Sequence, residues 1–122
     1  MSGTQNFSDL TRHVSSNLAS LRTSTPGVMK AFSELGRAAI APGALDSKTK
    51  ELIALALGVA ARCDACIGFH TQALVKLGAT RQEVDEALGV TTYMGGGPSL
   101  MYAANAVAAF DEALAAAAAK PA

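Results

Sequence analysis

The amino-acid sequence predicts an all-α protein, a bundle of about six helices. Three observations point there. No segment alternates apolar and polar residues with the β-branched and aromatic enrichment of a strand. Apolar residues recur instead at three- and four-residue intervals, between signals that start and stop helices. Ala is the commonest residue, and only 5% of the chain is aromatic. A length of 122 residues suits one domain over 1–122.

The elements follow in order. A first helix is expected over about Ser8–Leu21, with Leu10, Val14, Leu18 and Leu21 on one face. Thr25-Pro26 reads as a helix start, a capping hydroxyl followed by proline in the first turn. The second helix then runs to about Ile40, with Val28, Phe32, Leu35 and Ala39 inward, and Pro42-Gly43 closes this N-terminal part (about 8–41). Asp46 is a good cap for a third helix over about Ser47–Ala61, whose apolar run from Leu52 to Val59 leaves no polar face and predicts burial nearly all round. A fourth helix is expected over about Asp64–Leu77, stopped by Gly78, so that about 46–78 forms a helical hairpin. Thr80-Arg81-Gln82-Glu83 is a capping box that opens a fifth helix to about Tyr93. Gly95-Gly96-Gly97-Pro98 reads as a loop, a tight turn that lets two helices pack closely, and a last helix covers about Ser99–Ala119. Its Ala115–Ala119 tract is expected to fray or to pack on a partner.

Charge and composition exclude whole classes. Ten Lys plus Arg balance ten Asp plus Glu, so there is no basic excess for a nucleic-acid backbone. Without Trp, stacking platforms for bases are poorly supplied. The longest apolar run, Leu52–Ala61, falls short of the roughly 20 residues that span a membrane. Met1–Phe7 lacks the basic start and apolar core of a secretory signal. The expectation is a soluble cytoplasmic protein with neither nucleic-acid nor membrane partners. The apolar fraction of 50% is high for a small domain, which must cover much surface, and suggests burial between subunits.

The chemistry gathers around Cys63-Asp64-Ala65-Cys66, which holds both cysteines of the chain. In a cytosolic protein this spacing means redox chemistry or metal binding rather than a structural staple. Cys63 falls at the mouth of the fourth helix and Cys66 in its first turn. The partial positive charge of a helix N-terminus favours thiolate over thiol. A thiolate attacks a peroxide oxygen or a disulfide, and a second cysteine nearby resolves the sulfenate to a disulfide. His70 lies four residues after Cys66, on the same helix face, where an imidazole can take or return the proton. Glu51 admits two readings. It could be a partly exposed carboxylate answering Lys48 or Lys50. In an antiparallel hairpin it also lies about 16 Å from the turn along one arm, with His70 about 10 Å along the other, close enough to orient the ring and fix its tautomer.

Glu51, Cys63, Cys66 and His70 together spell E-x11-C-x-x-C-x-x-x-H. This resembles the signature of the alkylhydroperoxidase AhpD-like, carboxymuconolactone decarboxylase-like family. Leu45-Asp46-x-Lys48-x-Lys50-Glu51-Leu52-Ile53-Ala54-Leu55 and Tyr93-Met94-Gly95-Gly96-Gly97-Pro98-Ser99 are similar to that family too, so that the likeness covers about 26–113. The resemblance implies an all-helical homo-oligomer, commonly a trimer or hexamer, with thiol peroxidase activity on organic hydroperoxides. It implies Cys66 as the peroxidatic thiol, Cys63 as the resolving thiol, and Glu51 with His70 as the proton relay. No metal, haem or flavin is required, and the reductant would be a dithiol or a lipoylated protein. The best-known members carry a further His between the cysteines, where this chain has Asp64-Ala65. The decarboxylase branch lacks the cysteine pair, which argues against lactone decarboxylation.

Two alternatives stand beside this. Cys63, Cys66, His70 and Glu51 have the ligand types for zinc. A non-catalytic thiol sensor or oligomeric scaffold would form the disulfide and turn over slowly. Elsewhere, the glycine run matches no phosphate-binding pattern and follows no strand. His13 is expected on an exposed face, while Tyr93, Met94, Met101, Tyr102 and Phe110 are expected in the core or a subunit interface.

Overall fold

The computed structural model describes residues 6–119. Six helices follow one another: α1 (Phe7–Ser24), α2 (Pro26–Ile40), α3 (Ser47–Ala60), α4 (Asp64–Lys76), α5 (Arg81–Gly95) and α6 (Gly97–Ala119). No strand occurs among the described residues, so the all-α class stands.

Local chemistry sets most boundaries. Asn6 Oδ1 accepts from Asp9 N at 3.0 Å and Asp46 Oδ1 from Thr49 N at 2.7 Å, each satisfying an orphan amide at a helix start. At α5 the expected capping box forms in both directions between Thr80 and Glu83. The first amides of α1 are also met from a distance: Phe7 N and Ser8 N donate to the Glu112 carboxylate of α6 at 3.1 and 2.8 Å. An anion there suits the positive end of the helix.

The centre of the bundle is α4, which packs against α1, α3 and α6. Leu55 and Val59 of α3 meet Ile67 and Leu74 of α4, Val84 and Leu88 of α5, and Phe110 of α6. Burying one such side chain stabilises the fold by about 1.5–3 kcal/mol. The core face of α6 is otherwise Ala103, Ala106 and Ala109, small enough to let the helices approach closely.

Several expectations need correction. The α2 face expected inward points to solvent, with Val28, Phe32 and Leu35 exposed by 67%, 70% and 63%; Ala39 is exposed as well. The reason is that α2 touches only α1 and α3, and lightly, so nothing within one chain covers that face. The third helix is not buried all round either: Ile53 and Leu57 lie on the side of α3 away from α4, α5 and α6 and are exposed. Thr25 holds the N-cap position of α2 before Pro26, as expected, but its hydroxyl makes no cap bond; it donates back to Leu21 O at 2.9 Å at the end of α1, which runs on to Ser24. The glycine run is not a loop of four residues. α5 continues through Gly95, α6 begins at Gly97, and Gly96 alone turns the chain, at φ 74°. The alanine tract stays helical to Ala119. Of the residues expected in the core or a subunit interface, Phe110 is core and Tyr102 packs against it, whereas Tyr93, Met94 and Met101 are exposed within one chain and so are not core. No helix among the described residues is long and apolar enough to cross a membrane.

Candidate active site

The periodicity that buries Leu55 and Val59 also carries Glu51 inward. These residues form one stripe of α3, and Glu51 sits at its N-terminal end. A carboxylate taken from water needs a partner. Both lysines that could have answered it are engaged elsewhere. Lys48 Nζ donates to Glu83 Oε2 at 2.8 Å, and Lys50 Nζ donates to Ala41 O at 2.6 Å. Glu51 Oε2 instead lies 2.6 Å from His70 Nδ1, with the Glu51 side chain 8% exposed and that of His70 31%. The hairpin geometry thus closes the gap directly. An imidazole tied at Nδ1 to a carboxylate has its ring orientation and tautomer set and leaves Nε2 for a second proton.

The thiol end of the hairpin is built by two consecutive caps. α3 closes with Arg62 N donating to Val59 O at 3.0 Å and Cys63 N to Gly58 O at 2.9 Å, and Arg62 takes a left-handed φ of 58°. Cys63 then serves as the N-cap of α4: its Sγ accepts from Cys66 N at 3.2 Å. The two cysteines are joined as a disulfide with their Cα atoms 5.2 Å apart. His70 follows one turn after Cys66 on the same helix. All four residues singled out by the sequence therefore belong to one hairpin, the sulfurs at its turn and the Glu51–His70 pair along its arms.

Three features of this region escaped the sequence reading. A Cβ on Gly58 would lie 3.1 Å from Cys66 Cβ, so glycine there lets α3 come close to the cysteine turn. The interruption of an apolar helical run by one glycine was the available signal. Asp64, between the cysteines, accepts from Asn105 Nδ2 of α6 at 3.2 Å. Neither residue has a local pattern that would announce the other. Finally, Ser33, Arg37 and Ile40 of α2 join Ser47, Glu51 and His70 around a shallow cavity of about 590 Å³. The half-buried imidazole forms part of its wall.

Charge outside the pair is tied down in the same region. The hydrogen bond to Glu83 holds the Lys48 ammonium above its ordinary range, and Lys48 in turn draws the Glu83 carboxyl below its own. The Thr49 amide lowers Asp46 at the start of α3. Among the described residues, no group of three or more His, Cys, Asp or Glu side chains is arranged to hold a metal ion, and the four residues considered for zinc are not brought into such a set.

Comparison with known proteins bears on this arrangement. A family model described as the carboxymuconolactone decarboxylase family matches residues 26–109, which include all four residues. The chain belongs to that family. A crystal structure of a family member from Legionella pneumophila is 57% identical and superposes with a TM-score of 0.87, covering 88% of this chain and 96% of that one. A Thermotoga maritima family member, described with a suggested part in an antioxidative response, is 35% identical with a TM-score of 0.70 over 75% of this chain and 95% of its own. An uncharacterised protein of Cupriavidus necator is 41% identical over 98 residues, 80% of this chain and 87% of its own.

Proposed function

We propose that this member of the carboxymuconolactone decarboxylase family is a thiol-dependent peroxidase that reduces organic hydroperoxides. The observation that carries the reading is the Glu51–His70 contact of 2.6 Å, made one helical turn from a cysteine pair at the N-terminus of α4. A buried carboxylate holding an imidazole beside two joinable sulfurs supplies the proton traffic that peroxide reduction needs.

With the pair reduced, the Cys66 thiolate attacks an oxygen of the hydroperoxide. An S–O bond forms, the O–O bond breaks, and the alkoxide leaves as alcohol with a proton from His70. The Cys63 thiolate then attacks the sulfenic sulfur of Cys66. The S–S bond forms, and hydroxide leaves as water with a second proton. A dithiol donor, free or carried as a lipoyl group on a protein, returns two electrons and becomes a disulfide itself. Cys66 acts as the peroxidatic thiol, Cys63 as the resolving thiol, and Glu51 keeps His70 in register. A cytoplasmic setting would supply such a donor. The uncovered apolar face of α2, with Val28, Phe32 and Leu35, fits a second copy of the chain, in line with a homo-oligomer.

The test is peroxide consumption with a dithiol donor by wild type and Cys66→Ser. The reading expects turnover to fall to background in the variant. Unchanged turnover would defeat it, and stoichiometric zinc in the reduced, purified protein would replace it with a metal site.

A further inference from the structure

The chain closes two helices with the same backbone motif. At the end of α4, Gly78 N donates to Val75 O at 3.1 Å and Ala79 N to Leu74 O at 3.0 Å, with Gly78 at φ 77°. At the end of α3 the same two bonds run from Arg62 N to Val59 O at 3.0 Å and from Cys63 N to Gly58 O at 2.9 Å. Both are Schellman closures, whose first residue beyond the helix must be left-handed. Glycine takes that conformation freely, whereas the Cβ of any other residue crowds the next carbonyl. Arg62 takes it at φ 58°, the single non-glycine residue with positive φ among those described. Arg62 is exposed and joins no ion pair among the described residues, so no ion pair offsets the cost of its backbone conformation. It is bonded directly to Cys63.

We propose that Arg62 is a positioning residue for the thiol pair, its guanidinium stabilising Cys63 as a thiolate whenever the pair is reduced. This rests on reading Cys63 and Cys66 as a redox pair and not on peroxide being the oxidant. The other charges around the turn leave room for that effect. Asp64, the one carboxylate between the cysteines, accepts from Asn105 Nδ2 of α6 and stays the negative charge that Arg62 must offset. Glu51 of α3 is occupied by His70 of α4. From α1, the uncharged Phe7 and Thr11 approach Gly68 and Thr11 accepts from Gln72, while the charged Arg12 lines a cavity with Gln72 and Lys76 towards the far end of α4. The positive contributions are Arg62 itself, the N-terminus of α4, and His70 when protonated. A stabilised Cys63 thiolate serves both half-reactions. It is the attacking sulfur when the disulfide closes. It is also the better leaving group when a donor thiolate attacks Cys66 Sγ, breaking the S–S bond and leaving Cys66 in a mixed disulfide that the donor's second thiol resolves.

Three substitutions separate charge from backbone. Arg62→Lys keeps both the charge and the left-handed side chain, and should leave ionisation and melting near wild type. Arg62→Ala removes the charge alone and should lower the acid ionisation constant of the Cys63 thiol about threefold to tenfold without raising the melting temperature. Arg62→Gly removes the charge and relieves the backbone, and should give the same fall in ionisation with a melting temperature higher by roughly 3–6 °C. The ionisation is read by ultraviolet titration of the lone thiol in a Cys66→Ser background, and melting in the otherwise native protein. Unchanged ionisation in Arg62→Ala and Arg62→Gly would overturn the proposal, as would loss of the thiolate in Arg62→Lys. A melting temperature that does not rise in Arg62→Gly would overturn the claim that arginine costs stability at this left-handed position. No peroxide enters these measurements, so their outcome is independent of the turnover test on Cys66→Ser.

Discussion

The α3–α4 and α4–α5 corners begin with the same helix closure and differ in the residues at its left-handed position and at the cap that follows. At the second corner each position follows helix chemistry: Gly78 is the left-handed residue after α4, and Thr80 caps α5 with Glu83 completing the box. At the first corner, arginine takes the left-handed position and a cysteine sulfur replaces the capping oxygen. A left-handed non-glycine residue costs about 1–2 kcal/mol, and sulfur is a weaker acceptor than a hydroxyl or carboxylate oxygen. The pair of corners therefore acts as an internal control. Where only the fold is at stake, the sequence takes the most stable residues; where the cysteines lie, it departs from them. Such local departures mark functional sites more often than folding errors.

Breaking the proton-carrying pair on the arms that lead to the first corner should have the largest effect. His70→Gln removes the proton carrier and should slow peroxide turnover by about 10²–10⁴-fold, while a thermal melt shows the fold intact. Glu51→Gln keeps the size of the side chain but not its charge; with His70 less firmly held, turnover should fall by about 10–100-fold. Equal turnover in both variants and wild type would detach the pair from the chemistry.

The two corners should also respond differently to one added methyl. Gly58→Ala brings a Cβ against Cys66 at 3.1 Å. It should destabilise by about 1–3 kcal/mol and shift the thiol–disulfide equilibrium with glutathione, because the cysteine turn must move. Gly78→Ala meets open space and imposes only the left-handed conformation. It should cost about 1–2 kcal/mol in denaturant unfolding and leave the thiol equilibrium where it was. A thiol shift in Gly78→Ala would show the corners to be coupled.

The smallest effect is electrostatic and belongs to the α5 end. Lys48 draws the Glu83 carboxyl below its ordinary value of 4.5, so the pair contributes stability above that pH and loses it as pH falls through the depressed value. On the alkaline side, Lys48 is raised above 10.5, and the contribution fades as pH climbs through that higher value. Glu83→Gln, which can still cap α5, should be slightly less stable than wild type at neutral pH. The gap should close in acid, which melting curves across that range would reveal. A gap that is independent of pH would assign the loss to capping instead.

Much of this was written in short-range signals. Asp46, the Thr80–Glu83 box and Gly78 mark helix ends because caps act within four residues. His70 could be placed with Cys66 because one helical turn separates them. Glu51 was ambiguous, since the lysines beside it in sequence were equally available; only the long-range bonds of Lys48 to Glu83 and Lys50 to Ala41 decide between them. On α2, periodicity says that Val28, Phe32 and Leu35 share a side and so suggests a core face, but it does not say what covers that face. The same holds for Ile53 and Leu57 on α3. The Asp64–Asn105 bond joins residues 41 apart, and neither is unusual in its own helix.

The central claim is that Cys63 and Cys66 are the electron-carrying pair for hydroperoxide. The most direct measurement counts thiols in the fully reduced protein before and after one equivalent of an organic hydroperoxide, with peptide mapping of the product. The account predicts that both thiols vanish together and that the sole product is the Cys63–Cys66 disulfide. Two thiols still titrating after the peroxide has been added would contradict it.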